Sequence, residues 1–125
     1  MNKQKFSLKQ RLKSFKHAFN GLRILLKEEH NARIHLIAAI CVLIAGYVFQ
    51  VSIYEWIALI IAIGLVFALE LVNSSIENIS DFISPEKHDK IKKIKDLSAA
   101  AVLLGTVTAL IIGLIIFVPK IVDRF

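Results

Sequence analysis

The chain has 125 residues, of which 56% are hydrophobic, and it carries 16 Lys and Arg against 10 Asp and Glu. That length suits one domain rather than two, and a soluble domain of this size could not cover so much apolar side chain. Basic charge alone would suit nucleic acid, but the charges stand apart from long apolar runs, so the expected class is an all-α integral membrane protein with a basic cytoplasmic skirt.

Residues 1–33 hold the bases Lys3, Lys5, Lys9, Arg11, Lys13, Lys16, Arg23, Lys27 and Arg33 against two acids, Glu28 and Glu29. Phe6, Leu8, Leu12, Phe15, Phe19, Leu22 and Leu26 recur at steps of three and four, the pattern of an amphipathic helix. A basic amphipathic helix ahead of a span is expected to lie on the anionic leaflet, with Gly21 as a bend or a close approach. This basic stretch is too long for the n-region of a secretory signal, so none is expected.

The first apolar run, Leu36 to Phe49, is short for a crossing, so the span is expected over about residues 34–50. Its Cys41 is the single cysteine, cannot form an intrachain disulfide, and reads as a small buried hydrophobe. Gln50 to Glu55 is a brief connection without Lys or Arg, edged by the interfacial aromatics Tyr54 and Trp56. The second run, Ile57 to Leu69, passes with no Pro or Gly break at the junction into Glu70-Leu71-Val72-Asn73-Ser74-Ser75-Ile76-Glu77-Asn78-Ile79-Ser80-Asp81. The span is expected over about 53–72, with its polar extension near the cytoplasmic boundary and an end at Ser84-Pro85.

At about 100° per residue, Glu77 and Asp81 fall within about 20° of Glu70, with Asn73 and Ser74 beside them. Carboxylates gathered at bilayer depth cost several kcal/mol each unless a cation or proton compensates them. A solvated helix end is the bland reading of such a face, but Glu70 follows thirteen mostly apolar positions, which makes an idle charge a poor account. Glu70 and Glu77 stand about 10 Å apart along the axis, so they cannot chelate one small ion together and need separate roles.

Residues 81–96 form a charged connection with Lys87, Lys90, Lys92, Lys93 and Lys95, and the last run, Leu97 to Val118, stops at Pro119-Lys120. The Lys and Arg placement puts the N-terminal region and this connection in the cytoplasm and the 50–55 connection outside. Ala101, Gly105, Ala109 and Gly113 recur every four residues and suggest a helix-packing face.

Two further clusters share the cytoplasmic boundary. Glu28-Glu29-His30-Asn31-Ala32-Arg33-Ile34-His35 precedes the first span, where one glutamate could complete a metal site with the second span. A charged helix start with a snorkelling arginine explains the same residues without function, and no further His or Cys stands at zinc spacing. Glu86-Lys87-His88 and Lys92-Lys93-Ile94-Lys95-Asp96 lead into the third span, where Lys95 could reach a phosphate as a point charge. No nucleotide-binding glycine loop and no Ser/His/Asp arrangement is present. Carboxylates, a metal and lysine at a membrane boundary suit phosphoryl transfer between a soluble nucleotide and a lipid.

With these motifs in view, the chain resembles the small prokaryotic diacylglycerol kinases, a family that includes undecaprenol kinases. Glu70-x-x-Asn73-Ser74-x-Ile76-Glu77-x-x-x-Asp81 fits the family signature, followed by Lys95-Asp96-x-x-Ala99-Ala100-Ala101-Val102-Leu103. Gly21-Leu22-Arg23 and Glu29-x-Asn31-x-Arg33-x-His35 fit upstream, so the likeness runs from about Phe15 to Ile116. It implies a surface helix and three transmembrane helices in one lipid-kinase domain over 1–125, a homotrimer with shared sites, and a bacterial inner membrane location. It also implies ATP as donor, Mg2+ as cofactor and a membrane lipid alcohol, diacylglycerol or undecaprenol, as acceptor.

By that resemblance Glu70 accepts the proton of the lipid hydroxyl, with Asn73 beside it. Glu29 and Glu77 would hold the metal, and Glu86, Lys87, His88, Lys95 and Asp96 match nucleotide-contacting positions. Asn31, Arg33, His35 and Ala99 join Glu70 on the lipid side. His17 and Gln10 stand where the enterobacterial type has an aromatic and an arginine, and His17 is assigned to the nucleotide. His35 replaces a glutamate of that type and is closer to the Gram-positive-like branch, where undecaprenol is a substrate class. A non-enzymatic membrane adaptor is the alternative from another class, and it would show no Mg2+-dependent ATP consumption on adding a lipid alcohol. A transporter or proton channel is a third, set apart by flux through liposomes.

Overall fold

The computed structural model describes residues 7–86 and 88–125, and within them four helices follow one another: α1 (Leu8–Glu28), α2 (His30–Val48), α3 (Ile53–Ile83) and α4 (Asp89–Arg124). No strand occurs among the described residues. The helices α2, α3 and α4 are long and apolar enough to cross a membrane, so the chain is an all-α multi-pass membrane protein.

Helix α1 starts at Ser7, whose hydroxyl accepts from the Gln10 amide at 3.4 Å. Its apolar stripe stays uncovered: Leu8, Leu12, Phe15 and Phe19 are all exposed, as suits a face laid on lipid. Phe6, the first member of the expected stripe, lies outside the described residues. The residue that anchors α1 is Leu25, which is 2% exposed. Gly21 marks no close approach, since a Cβ there would meet nothing within 4 Å, and α1 continues through it.

One extended residue, Glu29 (φ −105°, ψ 114°), separates α1 from α2. Arg33 turns back to donate to the Lys27 carbonyl at 3.3 Å, placing a cation on the carbonyl end of α1. Helix α2 therefore starts at His30, four residues before the expected span. Cys41 is exposed on α2 rather than buried, because that side of the helix packs against no other element.

The far end of α2 closes in a Schellman turn. The Val51 amide donates to the Gly46 carbonyl (3.1 Å) and the Gln50 amide to the Tyr47 carbonyl (3.3 Å), with Gln50 left-handed at φ 52°. Ser52 and Glu55 then form a reciprocal capping box, so α3 begins at Ile53 and residues 53–55 are its first turn. Trp56 lies over Gly46, where an added Cβ would come within 2.6 Å of the indole ring. Val51, Leu59 and Ile116 form the buried apolar cluster at this end, with Trp56 and Phe117 against it.

Helix α3 runs unbroken into its polar extension and stops at Ile83, ahead of Ser84-Pro85. Among the described residues of the charged connection, only Ser84, Pro85, Glu86 and His88 lie outside helices, since α4 begins at Asp89. His88 caps it, its Nδ1 accepting from the Lys90 amide at 3.1 Å, and Lys92 pairs with Asp96 one turn on at 2.6 Å. Helix α4 also continues through Pro119 to Arg124 instead of stopping there. Neighbouring groups hold its last turns: Lys120 bonds Glu55 at 2.8 Å, and Arg124 lies 5.5 Å from the Phe49 ring centroid.

Helices α3 and α4 form the most extensive pairing. Gly105 is buried where a Cβ would collide with Leu69 Cδ1, so close approach is real at this position. The four-residue repeat is not one uniform packing face, however. Ala101 is exposed, while Ala109 and Gly113 line an apolar groove of about 400 Å³ among α2, α3 and α4.

Candidate functional site

The polar extension of α3 emerges from the bundle by degrees. Glu70, Ser74 and Ser80 are buried, Glu77 is partly covered, and Asp81 is exposed. Each turn meets a different neighbour, so the face that looks continuous on a helical wheel divides into separate stations.

Glu70 is 3% exposed. His35 of α2 sets its Nε2 at 3.1 Å from Glu70 Oε1, but the contact lacks hydrogen-bond alignment, and Oε1 has no hydrogen-bond partner among the described residues. One turn on, Asn73 Oδ1 accepts from the Ser98 hydroxyl of α4 at 2.7 Å. That bond fixes the Asn73 amide, leaving its NH2 group as the remaining donor side.

Ser74 reaches the other way, its hydroxyl donating to Glu29 Oε1 at 3.2 Å. Glu29 is thereby drawn from the α1–α2 junction onto α3, on the side that carries Glu77. Glu77 lies in the extension beyond residues 53–72; burial pushes its carboxyl above the usual range, and the Glu29 charge adds to this. Lys95 opposes that trend but is itself paired with Asp81 at 2.5 Å.

Among the described residues no group of three or more His, Cys, Asp or Glu side chains could by itself hold a metal. A pair of mutually repelling, partly covered carboxylates nevertheless fits Mg2+, which takes one or two carboxylates and completes its shell with water and phosphate oxygens.

Beyond this pair, Glu86, His88, Lys95 and Asp96 line one cleft of about 480 Å³ between the end of α3 and the start of α4, with Asp81 and Lys92. Lys87 lies outside the described residues. The other expected site residues are not gathered by comparable contacts: His17 is exposed on α1, Asn31 and Arg33 on the first turn of α2, and Ala99 on α4. Arg33 is engaged with the carbonyl end of α1.

Three partners escaped the sequence reading. Ser98 was one serine at the edge of an apolar run, and no local signal ties it to Asn73, 25 residues earlier. The Asp81–Lys95 pair had a weak signal, opposite charges at one boundary. Glu55–Lys120 lies at the opposite end of the bundle and joins residues 65 apart in the chain, beyond the reach of any local signal.

Fold and site together define a small multi-pass membrane protein whose carboxylates, serines and lysines gather at one end of its spans. The profile of the family described as prokaryotic diacylglycerol kinase matches residues 16–117. An undecaprenol kinase of Bacillus subtilis (strain 168) is 43% identical over 108 residues, covering 86% of this chain and 88% of the relative. A diacylglycerol kinase of Helicobacter pylori (strain ATCC 700392 / 26695) is 36% identical over 110 residues, covering 82% and 85%. That of Escherichia coli (strain K12) is 29% identical over 100 residues, covering 80% and 82%. The chain belongs to the prokaryotic diacylglycerol kinase family and is a lipid kinase.

Proposed function

We propose that the protein transfers the γ-phosphoryl group of ATP to the hydroxyl of a membrane lipid alcohol at the cytoplasmic face of the bacterial inner membrane. The observation that carries this reading is Glu70, a buried carboxylate with one oxygen unpartnered where the apolar span meets the polar cluster. A carboxylate so placed is suited to orient and deprotonate an alcohol, which is a poor nucleophile when neutral. Asn73, oriented by Ser98, supplies an amide donor one turn away.

The nucleotide occupies the cleft lined by Glu86, His88, Lys95 and Asp96, with Lys87 beside it in sequence. Glu29 and Glu77 hold Mg2+, and when bound it neutralises charge on the phosphates. Lys95 contributes a further positive charge after exchanging Asp81 for a phosphate oxygen. His17 on α1 serves the adenine side, while Asn31, Arg33, His35 and Ala99 serve the lipid side. The acceptor is undecaprenol in preference to diacylglycerol, a reading supported by the undecaprenol kinase at 43% identity.

The basic N-terminal region and the Lys-rich connection support a cytoplasmic N-terminus. The assembly is a homotrimer, which the broad exposed apolar flanks of α2 and α4 would allow. The test is Glu70→Gln, which should lower ATP-dependent lipid phosphorylation at least about a thousandfold while the protein still inserts and assembles. Near-normal turnover in that variant would sink the assignment.

A further inference from the structure

We propose that His35 and Glu70 act as a dyad, in which His35 is a positioning residue that takes up the proton Glu70 removes from the lipid hydroxyl. This rests on Glu70 being the base, as argued above. Glu70 is 3% exposed and its Oε1 is buried without a hydrogen-bond partner among the described residues, so that oxygen has no direct route to water. His35 Nε2 stands 3.1 Å from that same oxygen, within reach of a hydrogen bond after a small rotation of the ring.

The imidazole is the more open of the two groups, at 19% against 3% exposure, and it stands in the second turn of α2, so a proton moving from Glu70 to His35 moves to the less enclosed group. The pair joins α2 to α3, and its geometry therefore depends on helix packing rather than on local spacing.

The surroundings leave few competitors for that proton. His35 lines the apolar groove with Ala38, Ala39, Val42 and Val66, and the α4 residues nearest that end, Thr106 and Ala109, are not titratable. Glu77, farther along α3, is the titratable neighbour that interacts electrostatically with Glu70. A lysine or arginine in place of His35 would hold a fixed charge against Glu70; imidazole can accept a proton on one nitrogen and release it from the other.

The step balances as follows. The lipid oxygen forms a bond to the γ-phosphorus as the bond from phosphorus to the diphosphate leaving oxygen breaks, giving the lipid phosphate and ADP. The hydroxyl proton passes to the Glu70 carboxylate, from Oε1 to the unprotonated Nε2 of His35, and from Nδ1 of the resulting imidazolium to water. Glu70 is then ionised for the next turnover.

The experiment measures phosphate transfer from ATP to undecaprenol in mixed micelles for wild type, Glu70→Gln, His35→Gln and His35→Ala, with and without added imidazole. His35→Gln keeps a polar side chain of similar reach but cannot carry the proton, and its kcat should fall about 10- to 100-fold. KM for ATP should stay within about threefold, and kcat should fall by more than KM for lipid rises, since His35 also belongs to the lipid side. His35→Ala should regain about tenfold in rate with imidazole, and Glu70→Gln should regain nothing. A kcat within twofold of wild type for His35→Gln overturns the dyad, as does a loss confined to KM or a His35→Ala variant that folds and ignores imidazole. If His35→Ala fails to insert, the kcat and KM of His35→Gln decide the matter alone. Wild type that phosphorylates no lipid alcohol, or Glu70→Gln with near-normal turnover, would instead overturn the underlying reading.

Discussion

Glu29 and Glu77 illustrate how a site is held open by groups that destabilise it. Burial and the Glu29 charge both push the Glu77 carboxyl upward, so the folded chain binds that proton more tightly than the unfolded chain does. For a carboxyl shifted this way, stability is greatest at low pH and declines as pH rises through the folded value. Without Mg2+, Glu77→Gln should therefore raise the thermal midpoint in detergent at neutral pH, and the gain should shrink on acidification. The same variant should raise the Mg2+ concentration for half-maximal activity by at least about tenfold. A variant less stable than wild type at every pH would contradict this account of the pair. Ser74, which ties Glu29 to α3, predicts a milder version: Ser74→Ala should lose less than Glu77→Gln in the same titration.

At the scale of elements, the α2–α3 hairpin is shaped by two small-residue positions, one of them filled against its preference. Gln50 is left-handed at φ 52°, a conformation that favours glycine, so Gln50→Gly should stabilise the hairpin by about 0.5–1 kcal/mol in a denaturation series. Gly46 faces the rigid Trp56 ring instead, and Gly46→Ala should cost about 1–2 kcal/mol, with Trp56→Phe restoring part of the loss in the double variant. An additive double variant would show that the ring contact is not the cause.

How much of this was legible follows from the range of each signal. Ser84-Pro85 ends α3 because a proline acts on its own neighbours, and the polar face of α3 follows from a period that local geometry sets. Pro119 misled because the groups that sustain α4 beyond it, Glu55 and Phe49, belong to other elements. Gly21 misled in the opposite sense, as its surroundings are empty. Asp81–Lys95 and Asn73–Ser98 depend on the register of α3 against α4, which no spacing within either helix specifies.

For the whole molecule, function follows from where three helices bring their polar ends. The start of α2, the extension of α3 and the start of α4 meet at one end of the bundle, so a buried carboxylate, a carboxylate pair and a Lys-lined cleft fall in succession along about three turns. One chain leaves broad apolar flanks uncovered, and cross-linking in native membranes should give trimers as the largest discrete product. The most direct measurement is transfer of radiolabelled γ-phosphate from ATP to undecaprenol and to diacylglycerol, side by side in mixed micelles with Mg2+. The expected result is Mg2+-dependent labelling of both or of undecaprenol alone, with undecaprenol the better acceptor by kcat/KM and labelling lost in Glu70→Gln. Labelling of neither lipid by correctly inserted wild-type protein, or equal labelling by Glu70→Gln, would contradict the account.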